Sequence, residues 1–243
     1  MALKPKVCVV IPTYNERANI ETTSERILRV AAEAGLNLEI LVVDDNSPDG
    51  TGELVEELSK QDSRIHLLRR SGKLGLGSAY RDGFRKAVEE FGAEILVEMD
   101  ADGSHDPTHL PAMIDRIIGG CDIVVGSRYI QGGEIIGWGL KRKIISSGAN
   151  FLSRKLCGIK IRDATSGYRA IKASTLKKLN LDEVSASGYV FQVEFLFRAQ
   201  NAGLKICEVP IVFRDRVRAR SKLGLREMVN FFWTCLKLAF SKG

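Results

Sequence analysis

Five runs of consecutive apolar, largely β-branched residues recur along the first half of the chain. They are VCVVI (Val7 to Ile11), EILVV (Glu39 to Val43), RIHLL (Arg64 to Leu68), EILVEM (Glu94 to Met99) and DIVVG (Asp122 to Gly126). A strand that is apolar along its whole length is buried on both faces, which is typical of a mainly parallel sheet. The sequence therefore predicts a parallel sheet covered by helices on both sides.

The segments between these runs have the spacing of amphipathic helices, near 16–33, 51–61, 78–91 and 107–118. Repeated strand–helix units imply a doubly wound sheet with right-handed crossovers. Beyond Arg128 this alternation stops. The later pattern predicts a Gly-rich loop at 131–139, helices at 141–157, 190–202 and 223–240, and a strand at 206–213.

Length and composition fit one large α/β domain spanning residues 1–243. Of the 243 residues, 44% are apolar and 27% are charged. The chain has no apolar run of membrane-spanning length, and Met1 to Lys6 lacks the pattern of a signal peptide. We therefore expect a cytosolic chain without a transmembrane segment. The five cysteines show no C-x-x-C spacing, so we predict reduced structural thiols.

The net charge of +6 is unevenly distributed. Residues 94–122 contain seven acids and one base, whereas residues 138–178 contain eleven bases and one acid, Asp163. The acidic segment favours a cation, and the basic half favours an anionic partner. A solvated basic surface is the alternative interpretation. Nucleic-acid binding is not indicated, because the basic stretches lack interleaved aromatic residues.

Asp100 and Asp102 directly follow the fourth apolar run. In an extended chain, residues i and i+2 point the same way, so the two carboxylates would face one spot. Oxygen ligands of this kind suit Mg²⁺ or Mn²⁺ holding a diphosphate. A solvated D-A-D-G turn is the alternative interpretation.

Asp44 and Asp45 end a second predicted strand and precede a run of turn residues. Carboxylates at this position can accept hydrogen bonds from a ribose or a base, and capping of the helix at Thr51 is the alternative. The glycines of Gly72 to Gly77 do not form a dinucleotide motif, because they follow the third strand and Tyr80 stands at the third glycine position. We expect this segment to pack a turn against a helix.

The last predicted helix carries more apolar surface than one packing stripe needs, including Phe232, Trp233 and Phe240. It is too short to cross a bilayer. Two interpretations remain open for this amphipathic helix. It lies in a membrane interface or docks a small membrane subunit, or else it packs on the core.

Eight short motifs occur in an order that resembles a known family. They are PTYNE (Pro12 to Glu16), DDNSPDGT (Asp44 to Thr51), DAD (Asp100 to Asp102), GSRY (Gly126 to Tyr129), WGLKRKIISSGAN (Trp138 to Asn150), DATSGYR (Asp163 to Arg169), GYVFQVE (Gly188 to Glu194) and VPIVFRDR (Val209 to Arg216). Together they resemble the dolichyl-phosphate mannosyltransferases, the dolichol-phosphate-mannose synthase branch of glycosyltransferase family 2. The likeness runs from about Val7 to Phe240.

The resemblance implies a single GT-A-like α/β domain, with a nucleotide-sugar half at 1–128 and an acceptor half at 129–243. Five positions match residues that hold the nucleoside in similar enzymes: Pro12, Tyr14, Glu16, Val42 and Asp44. Positions that match the metal and diphosphate site are Asp100, Ala101 and Asp102, with Ser104 near the metal.

The resemblance also assigns roles in the acidic and basic segments. Arg128, Arg216 and Lys222 match donor-side phosphate contacts, and Arg142 and Ser146 match positions that receive the acceptor phosphate. Catalysis would rest on Asp100, Asp102 and Arg128. The chain departs from the family at Ala219, where relatives often carry Gly, in the loop that leads to Lys222.

The implied activity is inverting transfer of mannose from GDP-mannose to dolichyl or another polyprenyl phosphate, with Mg²⁺ or Mn²⁺. The acceptor phosphate is already anionic near pH 7, so the reaction needs no general base. The alternative is a UDP-glucose or other nucleotide-sugar donor for a polyprenyl phosphate. The implied location is the cytoplasmic face of a membrane, and small membrane-spanning accessory subunits are further candidate partners.

Overall fold

The computed structural model describes residues 4–179, 189–215 and 225–240. Its strands are β1 (Lys6–Thr13), β2 (Asn37–Asp44), β3 (Ile65–Arg69), β4 (Ile95–Glu98), β5 (Ile123–Ser127), β6 (Glu134–Ile136), β7 (Arg169–Lys172), β8 (Ile206–Pro210) and β9 (Val212–Arg214). Its α-helices are α1 (Arg17–Glu33), α2 (Thr51–Gln61), α3 (Leu76–Glu89), α4 (Leu110–Ile118), α5 (Leu140–Cys157), α6 (Leu176–Leu179), α7 (Tyr189–Asn201) and α8 (Leu225–Phe240).

Within the described residues, a seven-stranded sheet has the order β3-β2-β1-β4-β7-β5-β8. The pairs β1–β2, β1–β4, β2–β3 and β5–β8 are parallel, and only β7 runs antiparallel to its two neighbours. The prediction of a mainly parallel sheet flanked by helices is confirmed. Strands from both halves of the chain contribute to this one sheet.

Alternate residues of each central strand belong to two different hydrophobic clusters, as the pleat requires. One cluster contains Cys8 and Val10 of β1 together with side chains of α3, α5, α7 and α8. The other contains Val7, Val9 and Ile11 with side chains of α1, α2 and α4. Burial on both faces explains why these strands are apolar at every position.

The helices lie near their predicted positions, while two features of the second half differ. The predicted strand 206–213 is split between β8 and β9, and these belong to different sheets. Pro210 is the last residue of β8, at the edge of the described sheet, where a missing N–H is tolerated. The short strands β6 and β7 were not predicted.

The prediction that all cysteines are reduced is wrong for two of them. Cys121 and Cys207 form a disulfide with their Cα atoms 6.2 Å apart, while Cys8, Cys157 and Cys235 are free and buried. Cys207 lies opposite Val124 in the β5–β8 pair, and Cys121 lies two residues before the start of β5. Sequence spacing does not reveal this pairing because β5 and β8 are distant in the chain.

We expect reduction of the Cys121–Cys207 disulfide to lower the free energy of unfolding. The bond closes a loop with a sequence separation of 86 residues, and loss of such a crosslink costs about 2–5 kcal/mol. Urea denaturation with and without a reducing agent measures this. A Cys121→Ser, Cys207→Ser double variant is the control and should not respond to the reductant; an equal response of both proteins contradicts the assignment.

Candidate active site

Four strands that run in the same direction end at one edge of the sheet, and polar residues follow each of them. Tyr14 follows β1, Asp45 follows β2, Asp100 lies two residues beyond β4, and Arg128 follows β5. The strand order places them along the edge from Asp45 through Tyr14 and Asp100 to Arg128. Open α/β sheets bind their ligands at this carboxyl edge.

The acid pair lies in a turn instead of the predicted extended chain. β4 ends at Glu98, Ala101 and Asp102 are in a turn, and Gly103 has a φ of +74°. Asp100 and Asp102 are half-buried. The pKa of the Tyr80 phenol is raised well above its usual value. Burial is the largest cause, the charge of Asp100 is the next, and the charge of Asp102 adds to it. Both carboxylates therefore lie within electrostatic range of the same side chain.

Ser104 supplies a third oxygen beside this pair. Its backbone N donates to Asp102 Oδ1 at 2.9 Å. Its Oγ is buried and, within the described part of the chain, has no hydrogen-bond partner. A buried hydroxyl without a partner costs about 1–3 kcal/mol. This orphaned oxygen and two carboxylates form an all-oxygen donor set, which fits Mg²⁺ or Mn²⁺.

The protein side of such a cation site would be incomplete by itself. Among residues 4–179, 189–215 and 225–240 there is no group of three or more His, Cys, Asp or Glu side chains that could hold a metal. Cations of this kind usually combine one or two carboxylates with the phosphates of a substrate. The donor set therefore fits a cation that arrives together with a diphosphate.

A row of aromatic rings connects the acid pair to the basic half. The backbone N of Asp100 donates to His105 Nδ1 at 3.1 Å. The His105 ring stacks on Tyr168 at 4.9 Å and meets Phe213 at 5.6 Å between centroids. Phe213 in turn packs edge-on against Trp138 at 5.3 Å. These contacts fix the position of Trp138 relative to the acid pair.

Asp44 and Asp45, at the end of β2, are buried and hydrogen-bonded to other protein groups. Asp44 accepts hydrogen bonds from Thr13 Oγ1 at 3.0 Å and from the backbone N of Ser47 at 3.0 Å. Asp45 Oδ1 accepts from Arg70 Nη1 at 2.8 Å. Neither acid caps α2. These bonds instead fix the turn after β2 beside the end of β1.

Helix capping before Thr51 belongs to another acid. Asp49 Oδ1 accepts from the backbone N of Thr51 at 3.0 Å, and Asp49 Oδ2 accepts from the backbone N of Arg17 at 3.1 Å. The capping alternative considered for Asp44 and Asp45 is therefore wrong.

Tyr14 exposes an aromatic face at this end of the edge. Its side chain is 38% exposed, and Lys73 Nζ lies 4.2 Å from the ring centroid. Lys73 belongs to the glycine-rich segment after β3, which Asp45 holds through a hydrogen bond from the backbone N of Leu74 at 3.1 Å. The glycine-rich segment thus covers one face of the Tyr14 ring with Lys73, and it also leads into α3.

Arg128 and Asp163 form a buried ion pair at the opposite end. Asp163 Oδ2 accepts from Arg128 Nε at 2.7 Å and from its backbone N at 3.0 Å, while Oδ1 accepts from Nη2 at 2.7 Å. Arg128 is 8% exposed and Asp163 is fully buried. Burial alone raises the pKa of Asp163, but the charge and hydrogen bonds of Arg128 hold this pKa below its usual value. The guanidinium is therefore held in one orientation.

Trp138 brings a second guanidinium to the same place. The Cζ of Arg142 lies 4.0 Å from the centre of the Trp138 ring, and the Cζ of Arg128 lies 5.3 Å from it. Arg142 Nη1 donates to Asp215 Oδ1 at 2.6 Å, whereas its buried Nε has no hydrogen-bond partner among the described residues. Each guanidinium already has a carboxylate partner, Asp163 or Asp215, and the Nε of Arg142 remains as a donor that suits a phosphate.

Helix α5 presents Arg142, Ser146 and Asn150 at intervals of four residues, and hence on one face. Asn150 Nδ2 donates to the backbone O of Ser146 at 3.1 Å and to Thr165 Oγ1 at 3.1 Å. Thr165 Oγ1 also accepts from Arg128 Nη2 at 2.9 Å. This face of α5 is therefore joined to the Arg128 ion pair.

A second buried pair lies beneath the acid turn. Glu98, the last residue of β4, and Arg169, the first of β7, are both fully buried, with Oε2 and Nε 4.0 Å apart. Burial raises the pKa of Glu98 to about 7, and the charge of Arg169 reduces the shift only in part. Burial lowers the pKa of Arg169 to about 10. The pair joins the DATSGYR segment to the strand that leads into the acid pair.

Residues 8–179 match the family model described as Glycosyl transferase family 2. The chain belongs to glycosyl transferase family 2. Two relatives cover most of its length. The polyprenol monophosphomannose synthase of Mycolicibacterium smegmatis is 43% identical over 220 residues, covering 90% of this chain and 81% of the relative. The undecaprenyl-phosphate mannosyltransferase of Micrococcus luteus is 42% identical over 219 residues, covering 90% and 88%.

Solved structures of other enzymes share the fold of this family 2 transferase. Glucosyl-3-phosphoglycerate synthase from Mycobacterium tuberculosis, in complex with Mn²⁺, UDP-glucose and phosphoglyceric acid, has a TM-score of 0.69 and 21% identity, covering 96% of this chain and 80% of that one. A mannosyltransferase from Pyrobaculum calidifontis, in complex with GDP-mannose and Mn²⁺, has a TM-score of 0.61 and 20% identity, covering 99% and 64%. These similarities confirm the predicted GT-A-like architecture.

The structure brings most of the predicted site residues of the transferase to one edge of the sheet, and three predicted residues are not among them. Val42 is fully buried within β2, so its side chain does not reach that edge. Pro12, Tyr14 and Glu16 lie at the end of β1 and the start of α1. Arg216 and Lys222 lie outside the described residues.

Two residues of this family 2 transferase that organise the site had no predicted role. Asp163 holds Arg128, and its signal in the sequence is that it is the one acid among eleven bases in residues 138–178. Trp138 lies between the two guanidinium groups, and it opens the motif WGLKRKIISSGAN. A lone acid in a basic segment is a sound candidate for the partner of a buried arginine.

We expect Asp163→Asn to lower the free energy of unfolding by about 3–5 kcal/mol, because it leaves a buried guanidinium without its counter-charge. The matched control is Asp62→Asn, which breaks the exposed bidentate pair with Arg64 and should cost at most about 1 kcal/mol. Urea denaturation near neutral pH measures both. Similar losses in the two variants would show that the Arg128–Asp163 pair contributes no more than a surface ion pair.

The effect of Asp163→Asn should depend on pH. Because the pKa of Asp163 is lower in the folded protein than in the unfolded chain, its stabilisation is complete above about pH 4 and is lost as the pH falls through the folded pKa. The difference between the wild type and Asp163→Asn should therefore shrink in acid. A difference that grows on acidification contradicts the pairing.

Proposed function

We propose that this family 2 transferase moves mannose from GDP-mannose to a polyprenyl phosphate such as dolichyl phosphate, with inversion at the anomeric carbon. Both relatives that cover 90% of the chain carry names of polyprenyl-phosphate mannose transfer. The Pyrobaculum structure contains GDP-mannose and Mn²⁺, which favours the same donor and a divalent cation.

One observation carries the proposal. Arg128 and Arg142 surround the Trp138 ring, and the aromatic row from Trp138 to His105 joins this cationic centre to the turn of the acid pair. A site with a cation-binding end and a separate phosphate-binding end can hold a sugar diphosphate and a second phosphate together. A donor-binding module without transfer would not need the second end.

The proposed roles follow from the charges. The exposed Tyr14 ring stacks with the nucleobase, and Asp100, Asp102 and the Ser104 hydroxyl hold the cation. A bound Mg²⁺ or Mn²⁺ would neutralise the charge that develops on the leaving nucleoside diphosphate. Arg142 and Ser146 bind the acceptor phosphate.

Arg128 acts at the cationic end, beside Arg142. Asp163 fixes its guanidinium before substrates arrive, so no reorganisation is needed as charge develops in the transition state. The acceptor phosphate carries its own negative charge near neutral pH and attacks without a base. Attack from the side opposite the leaving diphosphate inverts the anomeric carbon.

The surfaces of α5 and α8 support a membrane location for this reaction. The helices pack together, with Cys157 and Cys235 buried between them. Each helix also exposes bulky apolar side chains: Leu140, Ile144 and Phe151 on α5, and Phe232, Trp233 and Phe240 on α8. In the described ranges, none of the helices has the length and apolar character needed to span a bilayer. Exposed apolar residues beside Lys141 and Lys143 suit the surface of an anionic membrane.

A panel of labelled nucleotide-sugars tests the donor. Purified protein is incubated with Mg²⁺ or Mn²⁺ and a short polyprenyl phosphate, and the lipid is then extracted. We expect label in the lipid from GDP-mannose and not from UDP-glucose. Label from UDP-glucose alone would replace the proposed donor with the alternative.

We expect Asp102→Asn to abolish metal-dependent transfer in the same assay, because it removes one anionic ligand of the cation. Asp115→Asn, the same change at an exposed position on α4, should leave transfer unchanged. Circular dichroism and thermal melting check that both variants are folded. Near-normal turnover by Asp102→Asn would remove this residue from the mechanism.

We expect Arg142→Ala to raise the KM for the polyprenyl phosphate by about tenfold or more, since a charge-assisted hydrogen bond contributes about 1.5–3 kcal/mol. GDP binding, measured by calorimetry, should be preserved. Lys141→Ala removes the neighbouring charge from the exposed side of α5 and is the control. An unchanged acceptor KM in Arg142→Ala contradicts the proposed role.

A further inference from the structure

A second polar hollow lies beside α5, on the flank next to Asn150. Its volume is about 480 Å³. The residues that line it are Tyr129, Ser147, Asn150, Arg154, Lys160 and Arg162. The acceptor residues Arg142 and Ser146 are not among them.

Three of the lining residues are cations without a carboxylate partner among the residues that the structure describes. Arg154 Nη1 donates only to the backbone O of Arg162, at 3.0 Å. The backbone N of Arg162 is bonded to Glu208 at 2.9 Å, and the backbone N of Lys160 to Gln200 at 2.9 Å, so the segment is fixed while its charged side chains are not paired. Within the described residues the hollow therefore has three cationic side chains that form no ion pair, while the Glu208 carboxylate is bound to the backbone of the same segment.

Two buried polar atoms at the hollow also lack partners in the described part of the chain. Asn150 is 2% exposed, and its Nδ2 donates to Ser146 and Thr165, which fixes the orientation of the amide. Its Oδ1 is left as an acceptor without a donor, and the Tyr129 hydroxyl is likewise buried without a partner. A buried polar atom of this kind destabilises the fold unless a ligand or water satisfies it.

We propose that this hollow binds a phosphate ester that carries a neighbouring hydroxyl group. The cationic side chains of Arg154, Lys160 and Arg162 bind the phosphate oxygens. Asn150 Oδ1 cannot bind an anionic oxygen, because it is itself an acceptor, and it therefore accepts a hydrogen bond from the hydroxyl. The Tyr129 hydroxyl donates to the ligand. This hollow adjoins the acceptor face of α5 at Asn150 without including Arg142 or Ser146, and its ligand does not depend on the identity of the sugar donor.

Two sources share this chemistry: the glycerol phosphate head group of an anionic phospholipid, and soluble glycerol phosphate. Ser147 lies between Ile144 and Phe151 at helical spacing, and both of these apolar side chains are exposed. The hollow therefore opens next to an apolar ridge that could lie in the lipid. A head group in the hollow would orient α5 on the membrane.

Calorimetric titration with soluble glycerol phosphate and with inorganic phosphate tests the site itself. We expect Lys160→Glu and Arg162→Glu to weaken the binding of glycerol phosphate about tenfold or more. Lys60→Glu makes the same change in net charge on α2, across the sheet, and should leave this affinity unchanged. Equal weakening by Lys60→Glu would overturn the proposal. So would a result in which Arg142→Ala loses glycerol phosphate binding while Lys160→Glu and Arg162→Glu retain it.

Tyr129→Phe supplies a milder variant that retains the ring. It should weaken the binding of glycerol phosphate severalfold and preserve the thermal melting temperature, so that a binding defect is distinguished from misfolding. In the wild type, glycerol phosphate should bind more tightly than inorganic phosphate. Equal affinities would contradict the role assigned to Asn150.

Vesicle flotation distinguishes the two sources. Phosphatidylcholine vesicles with and without phosphatidylglycerol are mixed with the wild type, Lys160→Glu and Lys60→Glu. Loss of phosphatidylglycerol-dependent binding in Lys160→Glu alone supports the phospholipid head group. Equal vesicle binding by all three proteins, together with the expected calorimetry, supports soluble glycerol phosphate. No saturable binding in either assay would overturn the proposal, whatever the transfer assay shows.

Discussion

The buried ion pair between Arg128 and Asp163 is the contact on which the geometry of the site depends. It joins the end of β5 to the segment before β7, and through Thr165 and Asn150 it reaches α5. A charged pair with so little access to water is costly to form unless every bond is well placed. Three hydrogen bonds from Arg128 to one carboxylate meet that condition. The acceptor face of α5 is held beside the sheet as a result.

The two ends of the site use charge differently. The acids at 100 and 102 are half-buried in a turn, where they can exchange water for a cation and a diphosphate. Arg128 is held by protein groups before any substrate binds, and its charge therefore costs no reorganisation during transfer. Trp138 and Phe213 pack together between these ends and add no charge of their own. A rigid arginine at one end and exchangeable cation ligands at the other suit a reaction between two anionic substrates.

The first half of the fold could be predicted from sequence because local and global preferences agree there. Each apolar run is a strand and each amphipathic segment is a helix, and α2 has the predicted bounds of Thr51–Gln61. The order of the motifs predicted the family, and the carboxyl ends of the predicted parallel strands indicated where the site lies. The agreement weakened where elements are short: β6 and β9 have three residues each, and β7 has four. Such segments are strands only because of their neighbours.

The remaining errors concern contacts between residues that are distant in the chain. Nothing in the spacing of Cys121 and Cys207 indicates that β5 and β8 are adjacent. Asp163 could be noticed as a lone acid, yet its pairing with Arg128 across 35 residues depends on the insertion of β7 between β4 and β5. The reason for expecting Asp100 and Asp102 to lie together was wrong, since the chain turns there. Their position at the edge follows from where β4 ends.

The central claim is that a cation at the acid pair and a phosphate at the two arginines occupy one continuous site. Anomalous diffraction from crystals grown with Mn²⁺, GDP and a short polyprenyl phosphate tests it most directly. The account predicts one manganese peak in contact with Asp102 and the diphosphate, and a second phosphate bound to Arg142 near the Trp138 ring. A manganese peak away from Asp100 and Asp102, or an acceptor phosphate remote from Arg142, would contradict it.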